Sequence, residues 1–170
     1  MSAALAFIGL GSNLAHPRRQ IATALKRLAR LPASRLVAVS RNYLTAPLGT
    51  PDPQPEYVNA VALLRTALGP RALLARLHAI ERRHRRQRGP HVPRNAARTL
   101  DLDLLLYGAR RLRSRTLTLP HPRMHERAFV LRPLLDVHPA AVVPGHGLAR
   151  ARLRALRGQR VVPTHRRALP

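Results

Sequence analysis

The order of apolar segments along the chain constrains its fold more than any other feature. Short apolar runs typical of strands alternate with apolar residues at helical spacing, in the order strand–helix–strand, strand–helix–strand. Strands are predicted over residues 5–10, 36–43, 57–68 and 99–107, and helices are predicted to start at Pro17 and Pro70. This order predicts an α+β fold, a ferredoxin-like split β-α-β sheet that is mostly antiparallel, with helices packed on one of its faces.

The other segments suggest a single domain followed by a tail. Residues 46–55 are rich in proline and predict a loop, residues 112–119 predict a short strand, and residues 128–137 predict a short helix. Past residue 145 the chain is basic and is interrupted by glycine and proline. We therefore expect a domain over residues 1–145 and a weakly ordered basic tail over residues 146–170.

Charge and composition narrow the classes of protein. The net charge is +24, from 31 basic and 7 acidic residues. This balance indicates either a solvated arginine-rich surface or a polyanionic partner, which can be a nucleic acid or a nucleotide. The chain has no cysteine, which excludes disulfides and thiolate metal sites. It has no apolar run of about 18 residues, the length that crosses a membrane. With no secretory pattern at its start, we expect a cytoplasmic protein without a membrane partner.

Two scarce acids stand two positions apart in the last of the four main predicted strands. Because side chains alternate along a strand, Asp101 and Asp103 are predicted to share one face, while the leucines between and beside them point to a core. Two neighbouring carboxylates repel each other unless a cation lies between them. Hard oxygen ligands of this kind suit Mg²⁺, which commonly binds one or two carboxylates together with substrate phosphates.

An arginine-rich loop precedes this strand. Seven arginines occur within residues 82–98, namely Arg82, Arg83, Arg85, Arg86, Arg88, Arg94 and Arg98. Guanidinium groups beside a metal-binding carboxylate pair can stabilise the charge that develops in phosphoryl transfer. The chain lacks a P-loop sequence, and Gly9-Leu10-Gly11 lacks the third glycine of a dinucleotide-binding turn. The pattern therefore predicts Mg²⁺-dependent transfer of a phosphoryl-type group at a site that is neither a P-loop nor a Rossmann turn.

A histidine pair offers a different interpretation. His121 and His125 are four positions apart and could belong to a zinc site. No third ligand is close in the sequence, and Pro122 disfavours the helix that would bring the two rings to one side. We therefore do not expect zinc.

Several segments, taken together and in order, resemble the 6-hydroxymethyl-7,8-dihydropterin pyrophosphokinase family over roughly residues 5–144. The matching segments are Gly11-Ser12-Asn13-Leu14, Tyr43-Leu44-Thr45-Ala46-Pro47-Leu48-Gly49, Tyr57-Val58-Asn59, Ile80-Glu81, the arginine-rich loop, Arg98-Thr99-Leu100-Asp101-Leu102-Asp103 and Pro120-His121-Pro122-Arg123-Met124-His125-Glu126-Arg127-Ala128-Phe129. The last two segments are the most specific. The resemblance implies transfer of pyrophosphate from ATP to the hydroxymethyl group of the pterin, with AMP as the other product, in folate biosynthesis.

The resemblance also implies which residues form the site. It implies that Asp101 and Asp103 hold two Mg²⁺ ions, with ATP as co-substrate. The catalytic set would be Arg86, Arg98, Asp101 and Asp103; the ATP set would be His78, Glu81, Arg88, Arg98, Thr118, His121 and Arg127; the pterin set would be Thr45, Leu48, Tyr57, Asn59 and Phe129. A flat polar bicycle suits two aromatic walls and an amide that can read the edge of the ring.

The loop departs from the family pattern, because Arg85 replaces a glycine and Ala97 replaces a proline. The sequence therefore leaves open which of Arg85, Arg86 and Arg88 closes on the phosphates.

Two alternative functions remain at this point. The first is a nucleic-acid-binding module on the same sheet, which the charge favours and the scarcity of aromatic residues disfavours. The second is transfer of a single phosphate to another alcohol. We expect a monomer that acts on ATP and the pterin and has no specific nucleic acid partner.

Overall fold

An antiparallel sheet forms the centre of the protein. The structure is a computed structural model that describes residues 3–50, 53–86, 90–92 and 96–167. In chain order, the first elements are β1 (Ala4–Ser12), α1 (Pro17–Leu28), β2 (Ser34–Val39), β3 (Arg41–Thr45), β4 (Tyr57–Thr66), α2 (Pro70–Arg83) and β5 (Asp101–Tyr107). Strand β1 pairs with β4 and with β5, and both β2 and β3 pair with β4, always antiparallel. This order confirms the predicted ferredoxin-like α+β fold.

Helices α1 and α2 cover one face of the sheet. Both begin at the predicted prolines, a residue whose fixed φ suits the first helical turn. In α1 the buried residues are Ile21, Ala24, Leu25 and Leu28, at the spacing of one helix face. They pack with Ala6, Ile8 and Leu10 of β1, and with leucines of β4, α2 and β5, in the first core.

The opposite face is also covered, which corrects the expectation that helices occupy one face only. A 3₁₀ turn (Met124–Glu126) leads into α3 (Ala128–Val137), and α4 (Ala149–Ala155) follows later in the chain. Leu131 and Leu134 of α3 are buried in a second core with Phe7 of β1 and Val61 of β4. Because the side chains of a strand alternate, one sheet supplies both cores.

The predicted strand over residues 36–43 is interrupted at Ser40. The serine hydroxyl donates to the carbonyl oxygen of Arg41 at 2.7 Å and accepts the main-chain N–H of Val61 at 2.8 Å. The Ser40 side chain thus accepts a main-chain N–H that would otherwise bond to the neighbouring strand. Beyond Ser40 the pairing with β4 continues as β3. The predicted strand over residues 112–119 is likewise two short strands, β6 (Leu112–Arg113) and β7 (Thr118–Leu119), which pair with each other.

The expected weakly ordered tail differs from what the structure contains. Strands β8 (Val142–Val143) and β9 (Gly147–Leu148) pair with each other, α4 follows, and β10 (Val162–Arg167) pairs antiparallel with β3 at the edge of the central sheet. Backbone pairing with β3 and burial of Ala149 hold this segment, although its sequence is basic. No helix of the described residues has both the length and the apolar character needed to cross a bilayer.

Candidate active site

A cavity of about 320 Å³ lies on the face of the sheet that carries α3. Its walls come from β1, β4, β5, the loop after β3 and the junction between the 3₁₀ turn and α3. The lining residues that bear on function are Gly9, Gly11, Thr45, Leu48, Tyr57, Asn59, Arg98, Asp101, Asp103, Arg127, Phe129 and Gln159.

Two glycines of β1 form the floor of the cavity. A Cβ atom at Gly11 would lie 3.2 Å from Oδ1 of Asn59, and one at Gly9 would lie 3.4 Å from the methyl groups of Leu105. In the sheet register Gly9 is opposite Asp103, and Gly11 is opposite Asp101. Glycine at both positions therefore keeps the space beside the two carboxylates open.

All five residues predicted for the pterin lie on the walls of this cavity. Nδ2 of Asn59 donates to Oγ1 of Thr45 at 2.7 Å, which leaves the Oδ1 atom above Gly11. The hydroxyl of Tyr57 donates to the carbonyl oxygen of Ala96 at 3.4 Å. The Phe129 ring lies 5.6 Å from the guanidinium carbon of Arg127. The cavity thus combines aromatic walls with an oriented amide.

Asp101 and Asp103 both line the cavity, whereas Leu100, Leu102 and Leu104 are buried in the first core. The alternation predicted for this strand is confirmed. Burial and the nearby negative charges of Asp101 and Glu81 raise the pKa of Asp103 well above its usual range. Among the described residues, no cation lies within ion-pairing distance of the Asp103 carboxylate, so a metal ion would relieve an existing repulsion.

Two arginines hold Asp101. Nη1 of Arg86 lies 2.7 Å from Oδ1 of Asp101, and Nη1 of Arg98 lies 2.6 Å from Oδ2. Both carboxylate oxygens thus have a guanidinium partner. The same Nη1 of Arg86 donates to the carbonyl oxygen of Leu100 at 3.1 Å. Of the described residues of the arginine-rich loop, Arg86 and Arg98 thus contact the acidic strand.

Asn13 fixes the backbone of Arg98, and the sequence motif did not reveal this role. The main-chain N–H of Asn13 donates to the carbonyl oxygen of Arg98 at 3.1 Å, and Oδ1 of Asn13 accepts the Arg98 N–H at 2.8 Å. Nδ2 of Asn13 donates to the carbonyl oxygen of Pro55 at 3.2 Å. Asn13 therefore joins the arginine to the loop before β4.

The residues predicted for ATP are more dispersed. Arg98 and Arg127 line the cavity, but His78, Glu81, Thr118 and His121 do not belong to its lining, and Arg88 lies outside the described residues. Glu81 is buried and accepts the main-chain N–H of Leu102 at 2.8 Å. Thr118 lines a second cavity of about 310 Å³ with Pro120 and Pro122. His78 is a half-buried residue of α2.

The main chain of His121 is hydrogen-bonded to β5, the strand that carries Asp101 and Asp103. The main-chain N–H of His121 donates to the carbonyl oxygen of Leu105 at 2.9 Å. Burial, together with the positive charge of Arg127, lowers the pKa of His121 to about 4, so the ring is neutral at physiological pH. Nδ1 of the neutral ring accepts the main-chain N–H of Arg123 at 3.3 Å, which leaves the Nε2–H as the donor that a ligand can use.

The zinc interpretation finds no support in the geometry. The His125 ring stacks on His146, with centroids 3.7 Å apart and planes 14° from parallel. No group of three or more histidine or acidic residues suited to a metal occurs in the part of the chain that the structure describes. A Mg²⁺ site built from Asp101 and Asp103 is compatible with this finding, because such sites take their other ligands from phosphates and water.

The raised pKa of Asp103 predicts how stability changes with pH in metal-free protein. The folded protein keeps a proton on Asp103 where the unfolded chain has lost it, so the free energy of unfolding falls as pH rises from the ordinary carboxyl range to the folded pKa. Asp103→Asn removes the ionisable group, and with it this fall in the free energy of unfolding. In EDTA at pH 8 the variant should gain about 1 kcal/mol or more in urea unfolding, and the gain should shrink towards pH 4.

Asp136→Asn is the matched control, because Asp136 accepts the Tyr43 hydroxyl at 2.7 Å outside the cavity. This variant should lose stability. An Asp103→Asn protein that is no more stable than the parent at pH 8 would show that burial and the charges of Asp101 and Glu81 do not destabilise the ionised Asp103 carboxylate.

Comparisons with known proteins identify the family of the chain. The family model for 7,8-dihydro-6-hydroxymethylpterin-pyrophosphokinase (HPPK) matches residues 7–139. A 2-amino-4-hydroxy-6-hydroxymethyldihydropteridine pyrophosphokinase of Pseudomonas aeruginosa is 50% identical over 138 residues, which cover 81% of this chain and 83% of the relative. The Haemophilus influenzae protein of the same name is 45% identical over 139 residues, covering 82% and 84%.

The fold agrees as well. A crystal structure of an HPPK-DHPS in complex with substrates superimposes with a TM-score of 0.69 at 12% identity, over 91% of this chain and 43% of the other. A Plasmodium falciparum HPPK-DHPS gives a TM-score of 0.68 at the same identity, over 90% and 45%. This chain spans less than half of these solved chains.

The fold and the cavity, with these matches, define a transferase of phosphate-containing groups that acts on a small molecule. The chain belongs to the HPPK family. Its activity is that of a pyrophosphokinase on a hydroxymethyldihydropterin, within folate biosynthesis.

Proposed function

We propose that the chain transfers pyrophosphate from ATP to 6-hydroxymethyl-7,8-dihydropterin at the cavity of Asp101 and Asp103. The observation that carries the proposal is the continuity of one cavity from Tyr57, Asn59 and Phe129 to the two carboxylates and Arg98. A substrate bound against the aromatic wall has its substituent directed along the same cavity to the charged end. The pterin hydroxyl loses its proton to water as its oxygen forms a bond to the β-phosphorus. The bond from that phosphorus to the oxygen shared with the α-phosphate breaks, and AMP leaves with this oxygen and the electron pair of the bond.

Asn59 makes the part of the cavity that would bind the pterin selective for that ring. Because Thr45 takes the amide N–H, the Oδ1 atom above Gly11 is the free side of the amide and can accept from the N–H groups of the pterin edge. The few polar groups of a ligand cavity fix the orientation of the ligand and provide specificity. This orientation sets where the hydroxymethyl group points.

Asn59→Ala should raise the KM for the pterin about 10- to 100-fold, since a lost hydrogen bond in a buried site costs ~1–3 kcal/mol. The KM for ATP should stay close to that of the parent. Thr45→Val tests the orientation of the amide and should give a smaller rise in the same constant. Steady-state kinetics with each substrate varied separately distinguishes the cases; an equal rise in both KM values would contradict the assignment.

The residues present fit Mg²⁺. Two carboxylates face one cavity, one of them has a raised pKa, and glycines leave the space beside them open. Asp101 and Asp103 would hold the metal, two ions in our proposal. Bound Mg²⁺ would neutralise charge on both sides of the β-phosphate.

Arg86 and Arg98 then have a second role. Both contact the Asp101 carboxylate. Phosphate oxygens accept bidentate guanidinium bonds as carboxylates do. We propose that the arginines release Asp101 when ATP arrives and contact the phosphates, so that the carboxylate becomes free to bind metal.

The nucleic-acid alternative is disfavoured by the layout of the sheet. RNA platforms of this kind present exposed strand aromatics, whereas Phe7, Tyr43 and Tyr107 are buried and helices cover both faces. A monomer in the cytoplasm with no specific nucleic acid partner stays our prediction from the sequence.

Product identity tests the proposed function. Purified protein with ATP, Mg²⁺ and the pterin should form AMP and the pterin diphosphate in equal amounts, and omission of the pterin should stop AMP formation. Anion-exchange chromatography separates AMP from ADP. ADP as the pterin-dependent product would favour the single-phosphate kinase and contradict the proposal.

A further inference from the structure

The chain that follows the family-matched residues 7–139 returns to the cavity. After α4 the main-chain N–H of Gln159 donates to the carbonyl oxygen of Leu156 at 3.0 Å, which ends the helix with a turn. Gln159 then lines the cavity, the one lining residue beyond Val130 in the described part of the chain. Neither a motif nor the resemblance drew attention to it.

The amide of Gln159 bonds to the backbone on both sides of Arg127. Its Oε1 atom accepts the main-chain N–H of Ala128 at 2.9 Å, and its Nε2 atom donates to the carbonyl oxygen of Glu126 at 2.9 Å. The first bond satisfies an N–H at the start of α3, where intrahelical partners are missing. The second bond secures the end of the 3₁₀ turn.

These two bonds constrain the backbone on both sides of Arg127. Its backbone is extended, with φ −121° and ψ 105°, between the 3₁₀ turn and α3. A bridge across one extended residue restricts both of its dihedral angles, and thus the direction of its side chain. The Arg127 guanidinium lies against Phe129 at the cavity wall, so the same bridge affects two lining residues.

We propose that Gln159 is a positioning residue that holds Arg127 in the orientation that binds the nucleotide. The proposal rests on the proposed function, because it takes the anionic partner of Arg127 to be the phosphates of ATP. It makes the segment after residue 145 a part of the active site. A cut after residue 145 would therefore remove an active-site residue, although all the residues predicted from the sequence lie before it.

A double-mutant cycle tests this role without turnover. We would measure the Kd of a non-transferable ATP analogue by calorimetry for the parent, Gln159→Met, Arg127→Ala and the double variant. Gln159→Met should weaken binding about tenfold in the parent, which corresponds to ~1.4 kcal/mol, and should have almost no effect once Arg127 is alanine. A general loss of stability would weaken binding equally in both backgrounds, and this additive result would overturn the proposal.

Two further variants keep the result interpretable. Arg160→Ala changes the exposed neighbour and should bind the analogue like the parent. Gln159→Glu keeps the acceptor for the Ala128 N–H but loses the donor to Glu126, so it should fold even if the methionine variant does not, and should lose affinity to a smaller extent. Unchanged affinity in a folded Gln159→Glu or Gln159→Met protein contradicts the role of Gln159 alone, whereas absence of analogue binding in the parent contradicts the proposed function as well.

Discussion

Asp103→Asn is expected to lower kcat about 10³-fold or more, equivalent to ~4 kcal/mol of transition-state stabilisation. The amide keeps the size of the side chain but loses the charge that would bind Mg²⁺ beside the β-phosphate. Asp101→Asn should have an effect of the same order, and it should also lower stability, because Arg86 and Arg98 would lose the carboxylate that both contact. Single-turnover assays, with enzyme in excess over the pterin and ATP at saturation, measure the chemical step directly.

Asp136→Asn is the matched control, since that carboxylate contacts Arg41 and Tyr43 away from the cavity. It should keep most of kcat despite its lower stability. Near-parental turnover of both Asp101→Asn and Asp103→Asn at saturating Mg²⁺ would contradict the carboxylate-bound metal.

Arg98→Ala is expected to lower kcat about 10²–10³-fold, the usual effect of removing one preorganised donor to a developing charge. The reason is the position of Arg98, which lines the cavity beside Asp101 and is fixed through its backbone by Asn13. The affinity for the pterin should change little, because the Arg98 side chain bonds to the Asp101 carboxylate and interacts with Tyr57, but does not bond to Asn59, whose amide orients the pterin.

The comparison for this variant is Arg83→Ala, an exposed arginine at the end of α2. Its kcat should be that of the parent, which would show that loss of one positive charge from a chain of net charge +24 has little effect by itself. If Arg98→Ala weakened pterin binding and spared kcat, the assigned role would be wrong.

The sequence was most informative where a local rule applies. The alternation of Asp101 and Asp103 with buried leucines follows from the period of a strand, and the starts of α1 and α2 follow from proline and apolar spacing. Both features depend on neighbours within a few residues. The placement of the five pterin residues in one cavity came from the family resemblance, because their contacts join β3, β4 and α3.

The sequence does not predict features that depend on contacts between residues far apart in the chain. The interruption at Ser40 arises from a bond to Val61, 21 residues away. The role of Asn13 depends on Arg98, 85 residues away, and Gln159 reaches Ala128 across 31 residues. Strand β10 is held by pairing with β3 rather than by an apolar pattern of its own. A single sequence contains no local signal for such contacts.

The number of metal ions bound in the nucleotide complex shows whether Asp101 and Asp103 form a two-metal site. Mn²⁺ can replace Mg²⁺ and be counted by electron paramagnetic resonance during titration of the protein with a non-transferable ATP analogue and the pterin. We expect two tightly bound ions per chain in the parent and fewer than two in Asp103→Asn. One ion in the parent, or the same number in both proteins, would contradict a two-metal site on Asp101 and Asp103.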